Sequence, residues 1–156
     1  MSRDYTLEIW ASNPILRTKS KPVQLFNKNI INLWKDLVKL MDEREGAWLS
    51  APQIGENMRI IAAGQRKIKG KSMKHLGTTI MINPSIISHW TQMNRYEEGC
   101  LSLPNTRINI ERYTQITVSF FTPEGKPETH NYTSFDARVI QHEIDHLEGI
   151  LIVDKG

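Results

Sequence analysis

The sequence predicts an α+β fold, with short antiparallel β-sheets around a central C-terminal helix carrying an HExxH motif, plus an N-terminal amphipathic helix. Three observations predict it. Apolar residues recur at helical spacing early in the chain, the middle is broken into short β-branched or alternating runs, and one further helical pattern follows them.

The early helix lies between Asn27 and Arg44, where Ile30, Ile31, Leu33, Trp34, Leu37, Val38, Leu40 and Met41 form one apolar stripe. Asn27 is its N-cap and Gly46 lies just past its end, so its expected role is packing. Strands are expected at 60–63, at 79–83 ending at Pro84, and at 113–121. Thr122-Pro123-Glu124-Gly125 then makes a turn, and 129–133 is the return strand of a hairpin. The last helix starts at a capping box over 133–136 and stops at Gly149. On it Phe135, Val139, His142, Glu143 and His146 share a face, being three, four or seven residues apart.

The chain has 156 residues, which fits one domain over 1–156. No apolar run is long enough to cross a bilayer, so no membrane partner is expected. The first ten residues carry Asp4 and Glu8 and lack the apolar stretch of a secretory signal, so the expected compartment is the cytoplasm. The net charge of +3 owes much to Arg66, Lys67, Lys69, Lys71 and Lys74, a stretch that reads first as a solvated loop.

His142-Glu143-Ile144-Asp145-His146 carries the chemistry. Residues four apart on a helix stand one above the other, so both imidazoles can bind one metal ion while Glu143 faces a water beside it. A catalytic site needs a third ligand. The extended motif that would supply a downstream histidine has Ile152 at that position, Glu148 lies at the wrong helical angle, and only Asp154 follows. The ligand is therefore sought upstream. His75, His89 and His130 lie in loop or strand-edge contexts; Cys100 sits in Glu97-Glu98-Gly99-Cys100-Leu101-Ser102-Leu103-Pro104, between a permissive glycine and a stiffening proline. A lone cysteine is otherwise a small buried hydrophobe or a nucleophile. With two imidazoles its thiolate makes a site with one open position.

With these residues in view the chain resembles the peptide deformylase family, from about Leu7 to Asp154. Three motifs carry the resemblance: 46–55 (GAWLSAPQIG), 98–102 (EGCLS) and 141–149 (QHEIDHLEG). Asn13-Pro14-Ile15-Leu16-Arg17 and Ile82-Asn83-Pro84 are weaker echoes. The resemblance implies removal of the N-formyl group from N-formylmethionyl peptides and nascent chains, with release of formate. It implies Cys100, His142 and His146 as ligands of one divalent ion, natively Fe²⁺, replaceable by Zn²⁺, Ni²⁺ or Co²⁺. Glu143 matches the general base, and Gln53 and the backbone N–H of Leu101 match the donors to the developing oxyanion. Ala47, Trp48, Leu49, Tyr96, Glu98, Gly99, Arg107, Phe135 and Val139 match substrate-binding positions; Phe135, Val139 and Tyr96 fall at the methionine pocket. Glu98 and Arg112 match an ion pair that braces the cysteine loop.

Two positions depart from the family pattern: Trp48 stands where a glycine is usual, and Ser50 where an alanine is. The indole adds bulk where the peptide is expected to lie. The chain also stops soon after the last helix, as in short forms among phage-encoded members, which would place it in the host cytoplasm. A monomer is expected, with a weak ribosome contact through the basic stretch 66–74. Two competing readings are another HExxH metallo-amidase or peptidase with a different third ligand, and an RNA-binding module with a structural metal.

Overall fold

A computed structural model describes residues 3–69 and 72–156, with side chains described outside 65–76. The chain is mixed α and β, with antiparallel sheets and two helices. The side chains of the basic stretch 66–74 and of His75 lie outside the described set.

Helix α1 spans Lys28–Glu43, and the Asn27 side chain accepts from the N–H groups of Asn29 and Ile30. A five-stranded antiparallel sheet follows the order β1 (Trp48–Ser50), β2 (Ile60–Lys69), β3 (Ser72–His89), β6 (Gln115–Phe121), β7 (Pro127–Thr133). Between them in sequence, β4 (Met93–Cys100) and β5 (Leu103–Tyr113) form a separate hairpin. Helix α2 spans Ser134–Leu147.

Strand periodicity makes the layering. On β2 and β3, Ile60, Ala62, Ile80 and Ile82 turn to α1, where they bury against Leu33, Leu37 and Met41. Ile61 and Met81, one residue out of phase, face the opposite side with Ile116, Val118, Ala137, Ile140 and Leu147. The sheet is thus covered by α1 on one face and α2 on the other. The hairpin closes over α2, with Arg138 donating to the Ile110 carbonyl at 3.0 Å and Gln141 bonding both the N–H and the carbonyl of Tyr113. A third apolar cluster, Leu16, Leu103, Ile110, Leu151 and Ile152, ties the hairpin to the two chain ends.

Four local expectations need correction. β3 does not end at Pro84: it continues to His89 through a register shift between Ile82 and Ser85. A bulge removes the need for a ladder N–H at proline. Asn83, at φ 54°, holds it by exchanging two 2.8 Å hydrogen bonds with the backbone of Val23. The strand expected at 113–121 is two strands in different sheets, parted at Thr114, whose N–H and hydroxyl bond the Gln92 carbonyl. Thr133 does occupy the N-cap of α2, yet its side chain makes no cap bond; Ser134 takes φ 53° instead. The basic stretch 66–74, which reads as a solvated loop, is paired strand where its backbone is described, with Lys69 ending β2 and Ser72 opening β3.

Candidate metal centre and active site

His142, Glu143 and His146 are brought to one face of α2 by helical spacing, and Cys100 arrives from the hairpin. The β4–β5 register shifts between Gly99 and Cys100, so that Cys100 pairs with Leu103 across a tight turn. This turns the thiol toward α2. Cys100 Sγ lies 3.3 Å from His146 Nε2, which lies 3.2 Å from His142 Nε2. The three donor atoms sit within 4.8 Å of one another. Gly99 is needed for close approach: a Cβ there would meet the Arg107 guanidinium at 3.0 Å.

The donor chemistry fits a divalent cation. His142 Nδ1 is 3.0 Å from Glu98 Oε2, and a carboxylate only accepts, so Nε2 is left with its lone pair toward Cys100 and His146. Metal–nitrogen and metal–sulfur bonds of about 2.0–2.3 Å in a tetrahedron set ligand atoms about 3.3–3.6 Å apart, close to the observed separations. The site also draws positive charge. Burial works against a cation on His142, yet hydrogen bonds to Cys100 and Glu98 and the charge of Glu143 push its proton affinity up to about 10. His146, fully buried, is held well below its ordinary value by that burial and by the neighbouring His142 charge, so it offers a neutral lone pair. A dication shared by all three donors satisfies them better than one proton.

Glu143 is buried beside them, and its Oε2 has no protein partner among the described residues. Burial pushes its carboxyl up to about 7, against the His142 charge, the neighbouring Ser50 hydroxyl and the Arg112 charge. A carboxyl poised there can both take and return a proton near neutral pH. Gln53 lies on the 3₁₀ turn Ala51–Ile54 that follows β1. Its Nε2 donates to Ser102 Oγ at 3.1 Å and stands 3.8 Å from Cys100 Sγ.

Beneath the ligands runs a buried charged network. Glu98 receives Arg112 through both oxygens at 2.7 and 2.9 Å, and Arg138 Nη1 at 2.7 Å. Arg112 also donates to Asp145 at 2.6 Å. Burial alone would raise the Glu98 carboxyl, but the hydrogen bonds from Arg112 and His142 hold it well below the usual carboxylate range.

A cleft of about 510 Å³ opens over this floor, walled by Trp48, Leu101, Arg107, Phe135 and Val139. A model of the polypeptide deformylase family matches residues 9–156. The chain belongs to that family. It is 37% identical over 142 residues to the peptide deformylase of Pseudothermotoga lettingae, covering 91% of this chain and 77% of that protein. The Brucella suis peptide deformylase is 34% identical over 142 residues, 91% and 79% of the two chains. Among solved structures, a Met-Ala-Ser-bound class I type b peptide deformylase from Acinetobacter baumannii superposes with a TM-score of 0.90 at 30% identity, covering 100% of both chains. A probable peptide deformylase from Synechococcus phage S-SSM7 gives 0.87 at 32%, covering 98% and 100%. The polypeptide deformylase family is metal-dependent, and the Cys100, His142 and His146 cluster is the group suited to a metal among the described residues.

Of the positions matched to deformylase roles, Cys100, His142, Glu143, Gln53, Leu101, Ala47, Trp48, Gly99, Arg107, Phe135 and Val139 meet around one cleft or its floor. Three matched positions do not present a free side chain to the cleft. The Leu49 side chain is fully buried under α1, because alternation along β1 turns it from the cleft. Tyr96 is exposed on β4 outside the cleft wall, with the Arg138 guanidinium 5.5 Å over its ring. Glu98 reaches the wall, but both its oxygens are committed to Arg112, Arg138 and His142. Sequence reasoning missed Arg138 and Asp145. Arg138 stands one turn before His142 on the same face, a polar residue at a buried helical position, and that was the available signal.

Proposed function

We propose that this chain is a peptide deformylase, hydrolysing the N-formyl group of N-formylmethionyl peptides and nascent chains to release formate. The observation that carries the reading is the convergence of Cys100 Sγ with the Nε2 atoms of His142 and His146, with Glu143 and Gln53 beside them at the base of one cleft. Cys100 as the third ligand speaks against other HExxH hydrolases.

Cys100, His142 and His146 would hold one divalent ion, Fe²⁺ natively, with Zn²⁺, Ni²⁺ or Co²⁺ as substitutes. When bound, the ion supplies Lewis acidity that makes water nucleophilic near neutral pH. Glu143 takes the proton of the attacking water and returns it to the methionine nitrogen as that nitrogen leaves. The Gln53 Nε2–H and the Leu101 N–H donate to the formyl oxygen as it becomes anionic, each worth about 3–4 kcal/mol of barrier. β1 is an edge strand of the five-stranded sheet, so Trp48 can offer backbone groups to an extended peptide, while Ala47, whose carbonyl accepts from Gly64, lines the cleft beside it. Phe135 and Val139 wall the methionine side chain, and Arg107, across from Gly99, is a cation for the peptide backbone.

We place the whole of 1–156 in a single catalytic domain organised around α2, working as a monomer in the cytoplasm, the host's if the chain is phage-encoded. No described helix is long and apolar enough to cross a membrane. The test is formate release from formyl-Met-Ala under anaerobic conditions with Fe²⁺ or Ni²⁺. Release by the wild type, lost in Cys100→Ala together with the metal, is expected; a metal-loaded protein that releases no formate defeats the reading.

A further inference from the structure

Ser50 closes β1 with none of its surface exposed. β1 thus ends on a fully buried hydroxyl. A buried hydroxyl is costly unless bonded, and its partner identifies its use. The Ser50 backbone N–H and the Ser50 Oγ–H converge on one atom, Gln53 Oε1, at 3.0 and 2.9 Å. At the other end of that amide, Nε2 gives one hydrogen to Ser102 Oγ at 3.1 Å and stands 3.8 Å from Cys100 Sγ.

A terminal amide torsion is otherwise broad and two-fold. Here two donors hold the oxygen and one acceptor holds the nitrogen, so the flipped amide would set N–H₂ against two donors. Two bonds accepted at the oxygen also polarise the amide and strengthen its remaining N–H as a donor. We propose that the Ser50 hydroxyl is a positioning group that fixes and polarises the Gln53 amide, aiming its second Nε2–H, the one on the Cys100 side, at the formyl oxygen as that oxygen becomes anionic. This rests on the deformylase reading above. Ser50 touches no substrate atom; its hydroxyl hydrogen goes to Gln53. Because that hydroxyl also neighbours the Glu143 carboxyl, the Gln53→Ala background below separates an effect through the amide from one through Glu143.

The chemistry sets the expected size and kind of effect. One neutral hydrogen bond supporting a donor that works only in the transition state is worth about 3- to 10-fold in rate. Losing it lowers kcat and leaves KM alone. Ser50→Ala removes one oxygen and adds no bulk, and the Ser50 N–H still bonds Gln53 Oε1, so the variant is expected to fold. On formyl-Met-Ala-Ser its kcat should fall about 3- to 10-fold, with KM, bound metal and melting temperature unchanged. In a Gln53→Ala background the same substitution should cost nothing further, because the two residues act as one unit. A second readout does not depend on turnover. In ¹⁵N spectra of the zinc-loaded protein, the Gln53 side-chain NH₂ pair, assigned by its absence in Gln53→Ala, should shift and exchange faster with solvent in Ser50→Ala. An unmoved NH₂ pair, a change confined to KM, or an equal kcat loss in the Gln53→Ala background would each overturn the assignment. Wild-type protein that releases no formate defeats the deformylase reading instead, and the NH₂ pair still decides whether Ser50 holds the amide.

Discussion

The two helices bury opposite kinds of surface. α1 hides Ile30, Leu33, Leu37, Leu40 and Met41 with one acid, Asp36, and turns its polar face to solvent. α2 hides nearly its whole circumference, including Arg138, Gln141, His142, Glu143 and His146. Apolar burial of the first kind stabilises at about 25 cal/mol per Å². Buried charge of the second kind costs stability unless each group finds a partner, and such groups are retained for what they do. The arrangement of α2 shows which were partnered: Arg138 and Gln141 are bonded to the hairpin, whereas Glu143 Oε2 and His146 Nδ1 have no protein partner among the described residues. On α2 the unpartnered atoms lie at the proposed chemistry; elsewhere among the described residues Trp34 Nε1 on α1, Ser20 Oγ and Asn57 Oδ1 are also buried without a partner.

That contrast predicts separable phenotypes. The largest effect is expected at Glu143. Glu143→Gln should lower kcat by about 10²–10⁴-fold while metal stays bound, because the proton carrier is outside the ligand set. It should not destabilise the fold. The carboxyl titrates near 7 in the folded chain against about 4.3 unfolded, so its ionisation costs stability as pH rises between those values. The metal-free variant should therefore melt higher than the metal-free wild type at pH 8. A lower melting point there would show Glu143 to be a structural group.

The converse belongs to α1. Leu37 is fully buried against the sheet, so Leu37→Ala should cost about 2–5 kcal/mol of stability. Its kcat, measured well below the new melting temperature, should match the wild type. A large kcat loss in folded Leu37→Ala would mean that the α1 core and the cleft are coupled, and the comparison between helices would fail.

Glu98 gives a smaller, pH-dependent effect. Its carboxyl is held below the usual range, so it contributes stability that is fully present above about pH 4.3 and is lost as pH falls below that value. Melting temperature should drop more steeply below pH 4.3 in the wild type than in Glu98→Gln, which no longer titrates. Parallel acid limbs in the two proteins would remove Glu98 as a source of acid lability.

The legible part of the molecule was local. Asn27 and the i, i+4 histidines follow from helix geometry over a few residues, and both stand in the structure where that geometry puts them. The turn at 122–125 closes through the Gly125 N–H to the Thr122 carbonyl at 2.8 Å, again a short-range event. What escaped was nonlocal. The β4–β5 hairpin has no clean alternation, since its pattern reflects pairing around a polar network: Glu98 and Arg112 are buried on it while Tyr96 is exposed. Pro84 looked like a strand end because proline ends ladders, yet Asn83 and the distant Val23 stabilise a bulge that admits it. Glu98 pairs with Arg112 as its motif implies, and only the tertiary partners Arg138 and His142 reveal how fully its oxygens are occupied.

Trp48 stands on the boundary between the two kinds of burial. Its indole walls the cleft, yet it also packs on the apolar cluster of Ile61, Met81 and Ile140 and is half-buried. The two roles carry different magnitudes. A fully buried tryptophan costs about 3–5 kcal/mol on truncation, so a half-buried one should cost roughly half of that in Trp48→Gly, with up to about 1 kcal/mol more for glycine within a strand. The melting point should therefore fall measurably without preventing folding. On the cleft side the indole offers contact area to peptide residues, so KM should change on longer formyl-Met peptides more than on formyl-Met-Ala. kcat should move little, because no atom of Trp48 is among the groups that transfer the proton or meet the formyl oxygen. Pairing the melt with kinetics on two peptide lengths separates the contributions. A large stability loss with no dependence on peptide length would assign Trp48 wholly to the α2-side core; a length-dependent KM at wild-type stability would assign it wholly to the cleft.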